Sequence, residues 1–374
     1  MRKDALEDAR KAYNMKKILL VDDSALMRRV LSDIINSDSR FSVVQEARNG
    51  EEALELLRNN TYDAVVLDVN MPKMDGIELL RQLRRENISA RIMMASTITM
   101  QGAQVTMDAL ELGALDFVHK PEWSYKCKDN DFASSLLNTL YSVSEASLTA
   151  TSSTSSEKVR SSTTKVENLV RKSASKISGD RVVAIAISTG GPKSLQSVIP
   201  FLPEDLNAPV VIVQHMPVGF TASLAQRMDS ISKISVKEAA EGDILEKGHV
   251  YIAKGGSHLN LVKTPGGTKV HYSDEPTREG VKPCANYMYE SLRDSNYDEI
   301  VCVVMTGMGA DGTEGIGNLK EKKKIYCISQ ESSSCVVYGM PKAVVKAGYS
   351  DAEIGLNDIA QEIILRVGVT KNGC

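Results

Sequence analysis

Chemically capable side chains recur where short apolar runs end. Asp22 and Asp23 follow Ile18–Val21, Asp68 follows Ala64–Leu67, Ser96 follows Ile92–Ala95, and Lys120 comes just after Leu115–Val118. Ser188 follows Val182–Ile187, His215 follows Val210–Gln214, and Asp311 comes shortly after Glu299–Met305. The first group suits phosphoryl transfer. Converging carboxylates repel one another unless a cation neutralises them, and hard oxygen ligands suit Mg²⁺. A carboxylate beside such a cation is a good phosphoryl acceptor, and a hydroxyl with an ammonium can grip the phosphate oxygens. The second group suits acyl transfer: a serine hydroxyl, an imidazole base and a carboxylate that fixes the imidazole tautomer.

Plainer readings stand beside these. Acids after strands often only cap turns, and for Asp22 or Asp23 alone that reading is preferred; four strand ends carrying Asp-Asp, Asp, Ser and Lys favour a site. Ser188 opens the Gly-rich turn Ser188-Thr-Gly-Gly-Pro192, which could instead cradle a dinucleotide phosphate, but the full G-x-G-x-x-G spacing is absent. Among the five histidines, His215 alone ends a βα-type strand; His258 is the second candidate for the base, and His119 reads as a surface or packing residue. In Thr306-Gly-Met-Gly-Ala-Asp-Gly312 the glycines let backbone amides approach a substrate oxygen, with the Met308 amide a candidate oxyanion donor. The same glycines could merely make a tight turn, with Asp311 capping the next helix.

The apolar runs alternate with helix-like periodicity, for example Leu26-Val30-Leu31-Ile34-Ile35. Five runs with intervening helices between residues 15 and 143 predict a doubly wound parallel sheet, closed by a helix carrying Phe132, Leu136, Leu140 and Val143. Between Ser142 and Ser178, 17 residues are Ser or Thr, so 144–180 reads as a linker with one weakly helical patch at Val166-Leu169-Val170. From Arg181 to about residue 368 the βα pattern resumes as a second α/β unit; Lys233–Ser273, β-rich and Gly-punctuated, predicts a hairpin-rich insertion. Residues 1–14 form a charged extension without the apolar core of a signal peptide.

Composition agrees with two soluble domains: 374 residues, 42% hydrophobic and 25% charged, with no apolar run long enough to span a membrane. A net charge of −3 gives no global reason to bind nucleic acid, and no basic helix-turn-helix follows the linker. The six cysteines (Cys127, Cys284, Cys302, Cys327, Cys335, Cys374) show no metal-ligand spacing and read as thiols of a reducing cytosol, with Cys302 and Cys327 as small core residues.

Two resemblances sharpen these expectations. Asp68-Val-Asn-Met-Pro-Lys-Met-Asp-Gly76, with Gly113-Ala-Leu-Asp-Phe-Val-His-Lys-Pro121, resembles response-regulator receiver domains over about residues 15–125. The resemblance implies a flavodoxin-like fold and Asp68 as phosphoacceptor. It also implies Mg²⁺ bound by Asp23, Asp68 and the carbonyl of Asn70, with Asp22 acting through water, and Ser96 and Lys120 as a switch pair. Ser188-Thr-Gly-Gly-Pro192, Gln214-His-Met-Pro217 with Gly219-Phe-Thr-Ala-Ser-Leu-Ala225, Thr306-Gly-Met-Gly309 with Asp311-Gly312, and Val337-Tyr-Gly-Met-Pro341 are similar to the chemotaxis protein-glutamate methylesterases of the CheB family, over about residues 181–350. This implies a Ser188–His215–Asp311 triad, with Thr189 and Met308 in the oxyanion region. It further implies demethylation of glutamate methyl esters, and deamidation of glutamines, on methyl-accepting chemotaxis receptors. A chemotaxis histidine kinase would be the phosphodonor to a cytoplasmic, monomeric enzyme needing no cofactor in its hydrolase, whose unphosphorylated receiver would cover the hydrolase cleft. The sequence departs from the family pattern at Ala186-Ile187, where Gly-Ala is usual, at Lys254, where Pro is usual, and at Cys284, where Ser is common.

Overall fold

A computed structural model describes residues 15–97, 100–120, 130–147 and 179–370. The expected extension 1–14, the linker patch at Val166–Val170, and Cys127 and Cys374 lie outside the described residues. The chain divides into two compact units, Met1–Thr151 and Ser152–Cys374.

In the first unit, β1 (Lys16–Val21), β2 (Phe41–Ala47), β3 (Ala64–Asp68), β4 (Ile92–Thr97) and β5 (Asp116–Lys120) form a sheet in the order β2-β1-β3-β4-β5, with every pairing parallel. A parallel sheet is covered on both faces, so its inner strands need apolar residues on both sides. Ile18–Val21 and Ala64–Leu67 meet that need and are buried throughout. The helices supply the cover: α1 (Ala25–Ser37), α2 (Gly50–Asn59), α3 (Gly76–Arg85), α4 (Met100–Leu112) and α5 (Asn130–Ser144). In α3 the Asp75 carboxylate accepts the Glu78 amide at 2.7 Å as an N-cap, while Leu79, Leu80 and Leu83 face inward.

The second unit is built on seven strands: β6 (Arg181–Ile187), β7 (Val210–Gln214), β8 (Ser235–Glu238), β9 (His249–Ile252), β12 (Glu299–Val304), β13 (Lys324–Gln330) and β14 (Ala352–Ile354). Their order is β14-β13-β12-β6-β7-β9-β8, again parallel throughout. The expectation of a hairpin-rich segment at Lys233–Ser273 needs correcting. Only β10 (His258–Thr264) and β11 (Gly267–Ser273) pair as an antiparallel hairpin; β8 and β9 extend the main sheet in parallel. Short strands with turn residues between them carry no local mark of pairing direction. One buried cluster joins the sheet to its cover, running from Val182 and Ala184 through Val211 and Val213 to Met288, Tyr289, Cys302 and Ile316. No helix among the described residues is long and apolar enough to cross a membrane.

Candidate functional site

Strand order locates the sites. In an open α/β sheet the crevice lies at the carboxyl ends of the strands where the winding reverses. That point falls between β1 and β3 in the first sheet and between β6 and β12 in the second.

At the first, Asp22 and Asp23 leave β1 and Asp68 ends β3, with carboxylate oxygens within 4.8 Å of one another. Lys120, at the end of β5, places its Nζ 2.6 Å from Asp68 Oδ1 and 3.0 Å from Asp22 Oδ2. All three are buried, whereas Asp23 and Asn70 are exposed at the rim. Burial, with Asp22 alongside, pushes the Asp68 pKa above the usual aspartate value despite Lys120. Burial works against the Lys120 ammonium, but Asp68 and Asp22 outweigh it and hold its pKa above that of an ordinary lysine. Two buried carboxylates beside one ammonium and a third carboxylate at the mouth leave net negative charge, so the donor set fits a hard divalent cation. Ser96 is buried in β4, where its carbonyl lies 3.3 Å from His119 Nδ1. Gly76 is required by a close approach: a Cβ there would lie 2.3 Å from the Asp68 carbonyl oxygen. Arg28, which sequence reasoning missed, donates through Nη1 to the carbonyls of Asp22 and Asp23 at 2.8 and 3.1 Å and fixes the acidic loop.

At the second, Ser188 stands immediately after β6. Its amide donates to the Thr306 carbonyl at 2.9 Å and its carbonyl accepts the Gly191 amide at 2.7 Å, closing the turn into α6 (Gly191–Leu195). His215 stands immediately after the adjacent β7 and ahead of α7 (Phe220–Ile231), and its amide donates to the Ile187 carbonyl at 3.1 Å. The imidazole Nε2 lies 2.7 Å from Asp311 Oδ2. Nδ1 is therefore the nitrogen left to take a proton from a hydroxyl. The loop after β12 carries Met308 and Asp311 past the serine so closely that a Cβ on Gly307 would lie 2.6 Å from Ser188 Cβ. Thr189 is buried, and its carbonyl accepts the Thr306 hydroxyl at 3.1 Å.

Asp311 is 2% exposed. Burial alone would raise its pKa, but His215, the Cys284 thiol and the Ala285 amide outweigh it and hold the carboxyl below the usual aspartate range. The capping alternative also resolves. The helix after Asp311, α9 (Thr313–Lys320), receives no side-chain cap from its own N-cap residue. Asp311 instead accepts amides of Ala285 and Asn286 at the start of α8 (Ala285–Ser291), at 2.6 and 2.9 Å. Asn286 Oδ1 reciprocates, accepting Gly312 and Gly315 amides at 3.0 and 2.7 Å.

His258, the second candidate base, is wholly buried at the start of β10 and bonds to the Cys284 amide and Pro276 carbonyl. Ile187 is buried against Gly191. Sequence reasoning missed Gln214, whose Nε2 donates to the Ser188 and His215 carbonyls at 3.0 and 3.1 Å. Its only signal was its place in the Gln214-His-Met-Pro217 motif.

Comparison with known proteins supplies a family for each unit. The response regulator receiver domain model matches residues 18–126, and the CheB methylesterase model matches residues 183–363. A "protein-glutamate methylesterase/protein-glutamine glutaminase" of Bacillus subtilis is 40% identical over 361 residues, covering 93% of this chain and 98% of its own length. One of the same name from Pyrococcus horikoshii is 39% identical over 357 residues, covering 96% of this chain and 95% of its own. The crystal structure of the Thermotoga maritima CheB methylesterase catalytic domain aligns at 39% identity and a TM-score of 0.48, covering 50% of this chain and 99% of that one. Relatives of this name match along almost its whole length, and both domain models match in the order receiver then hydrolase. The chain therefore belongs to the protein-glutamate methylesterase/protein-glutamine glutaminase family and is a methylesterase of the CheB class with an amino-terminal receiver domain.

Proposed function

We propose that the chain is a phosphorylation-activated serine hydrolase that removes methyl groups from glutamate methyl esters of chemotaxis receptors in the cytoplasm, and deamidates glutamines there. The observation that carries the chemistry is the Asp311–His215 pair beside Ser188 at the point where the second sheet reverses its winding. Ser188 Oγ attacks the ester carbonyl carbon while His215 Nδ1 takes its proton. The oxyanion is met by the amides of Thr189 and Met308, and methanol leaves with the proton from His215. Water, deprotonated in turn by His215, cleaves the acyl-serine to the free glutamate; for a glutamine, ammonia leaves instead. Asp311 stays ionised and holds the imidazolium that forms.

Activation is assigned to Asp68, which would accept a phosphoryl group from a chemotaxis histidine kinase. Asp22, Asp23, Asp68 and the Asn70 carbonyl would hold Mg²⁺, whose charge offsets that of the transferring phosphoryl group. Lys120 and Ser96 would bind the phosphoryl oxygens and report its presence. Residues 1–14 are assigned as an extension, 15–143 as receiver, 144–180 as linker and 181–368 as hydrolase, acting as a monomer with neither nucleic acid nor membrane insertion in its function. The test is methanol release from methylated receptor, with and without acetyl phosphate and Mg²⁺. Release that rises with the phosphodonor is expected; a rate indifferent to it removes the regulatory half of the reading.

A further inference from the structure

Four donors hold the carboxylate that faces His215. Asp311 Oδ1 accepts the Cys284 thiol at 3.0 Å and the Asn286 amide at 2.9 Å; Oδ2 accepts the Ala285 amide at 2.6 Å and His215 Nε2 at 2.7 Å. Three of the four come from consecutive residues, and of those three only Cys284 donates through its side chain. Cys302 and Cys327 are equally buried but lie within β12 and β13, paired across the sheet and far from any role at the carboxylate. They behave as small apolar residues. Cys284 donates to an ion.

The segment that carries Cys284 is pinned from behind. His258 is 0% exposed; its Nδ1 accepts the Cys284 amide at 3.2 Å and its Nε2 lies 3.2 Å from the Pro276 carbonyl. Accepting at Nδ1 requires a neutral ring with its proton on Nε2, donated to Pro276. Burial favours that state by pushing the His258 pKa down. Tyr287 packs against the imidazole, with its ring centroid 4.5 Å from that of His258.

We propose that Cys284 is a positioning residue of the hydrolase: its thiol, aimed by the neutral His258 behind it, locks the rotamer of Asp311 and sets the charge that His215 meets. This rests on the reading of Ser188, His215 and Asp311 as the reacting set. A carboxylate with two donors on each oxygen cannot swing about its last torsion without leaving a buried donor unmade. The thiol also draws charge toward Oδ1, away from the oxygen that faces the imidazole. The titratable groups facing Asp311 are His215, Cys284 and Tyr289, and burial pushes the latter two well up, so both stay protonated.

The test is steady-state methanol release from methylated receptor by the full-length protein across pH, for wild type, Cys284→Ala, Cys284→Ser and Ser188→Ala. Cys284→Ala should lower kcat about tenfold with KM within about twofold, the loss of one charge-assisted hydrogen bond. Its acid limb of kcat/KM should move up by about half a pH unit, because a carboxylate short of one donor stabilises the imidazolium more. A cavity effect would leave that limb in place. Cys284→Ser keeps a donor and should restore both kcat and limb. A folded Cys284→Ala with wild-type kcat and limb overturns the proposal. So does a folded Cys284→Ser that falls tenfold, which decides the matter even where Cys284→Ala does not fold. Ser188→Ala separates the two layers: if it stays active, the reacting set itself is wrong; if it is inactive while Cys284→Ala runs as wild type, only the positioning role is lost.

Discussion

The two sheets of this chain solve the same placement problem with opposite electrostatics. Each gathers its polar groups where the winding reverses, β1 against β3 in one and β6 against β12 in the other. In the receiver, three carboxylates crowd within 4.8 Å and one buried ammonium only partly balances them. That pocket is left short of positive charge, and burial raises the pKa of Asp68. In the hydrolase, one carboxylate receives four donors and its pKa falls. Burial acts in the same direction at both aspartates; the donors around Asp311 and the like charge of Asp22 beside Asp68 decide the outcome. An under-satisfied carboxylate suits the cation and phosphoryl group proposed for Asp68, whereas a fully satisfied one suits the fixed charge proposed for Asp311 beside His215.

The largest effect should come from removing the nucleophile. Ser188→Ala is expected to cut methanol release by roughly three orders of magnitude or more. Labelling of Asp68 by a phosphodonor should be unchanged, since the two groups belong to separate units. Activity within tenfold of wild type would remove Ser188 from the hydrolase site.

Asp311→Asn attacks the contrast directly. An amide can offer only one acceptor oxygen where four donors converge, so its NH₂ must face at least one of them. A loss of about 10³-fold or more in kcat is expected, together with about 2–4 kcal/mol of stability in the second unit. The pH dependence follows from the depressed pKa: Asp311 contributes stability that is present above the unfolded aspartate pKa and lost only as pH falls through the lower folded value. Acid unfolding of the wild-type hydrolase should therefore lie below the acid limb of its kcat/KM. Coincidence of the two would show that Asp311 titrates with activity.

Asp68→Asn tests the other pole. Stimulation by acetyl phosphate and Mg²⁺ should vanish while the basal methylesterase rate stays within about twofold, because the amide cannot accept the phosphoryl group and lowers the negative charge of the pocket. A mutant still stimulated to the wild-type level would place the acceptor elsewhere.

A smaller effect should follow from Gln214→Leu, which removes the amide tying the Ser188 and His215 carbonyls together. A fall of about tenfold in kcat and of about 1–3 kcal/mol in stability is expected, since two carbonyls lose a donor. Measuring both on the same preparation separates them: lost stability with unchanged kcat would make Gln214 a strut and nothing more.

Much of this molecule is determined by local sequence. Continuous apolar runs such as Val182–Ile187, each ending in a polar residue, can be satisfied only by buried parallel strands, and the crevice rule then puts Asp22, Asp68, Ser188 and His215 at carboxyl ends. The receiver and hydrolase motifs named the same residues. Tertiary structure alone decided the rest. Periodicity is blind to the neighbour of a strand, so β8 and β9 joined the main sheet where hairpins were expected, and three-residue β14 was too short to register at all. Nor could spacing reveal that Asp311, next to a helix it might have capped, turns to the start of α8, 25 residues earlier for Asn286. The choice of His215 Nε2 for Asp311, the Cys284 thiol beside it and the His258 ring behind depends on three-dimensional closure. A buried carboxylate binds whichever donors the packed chain brings to it, and those donors come from distant parts of the sequence.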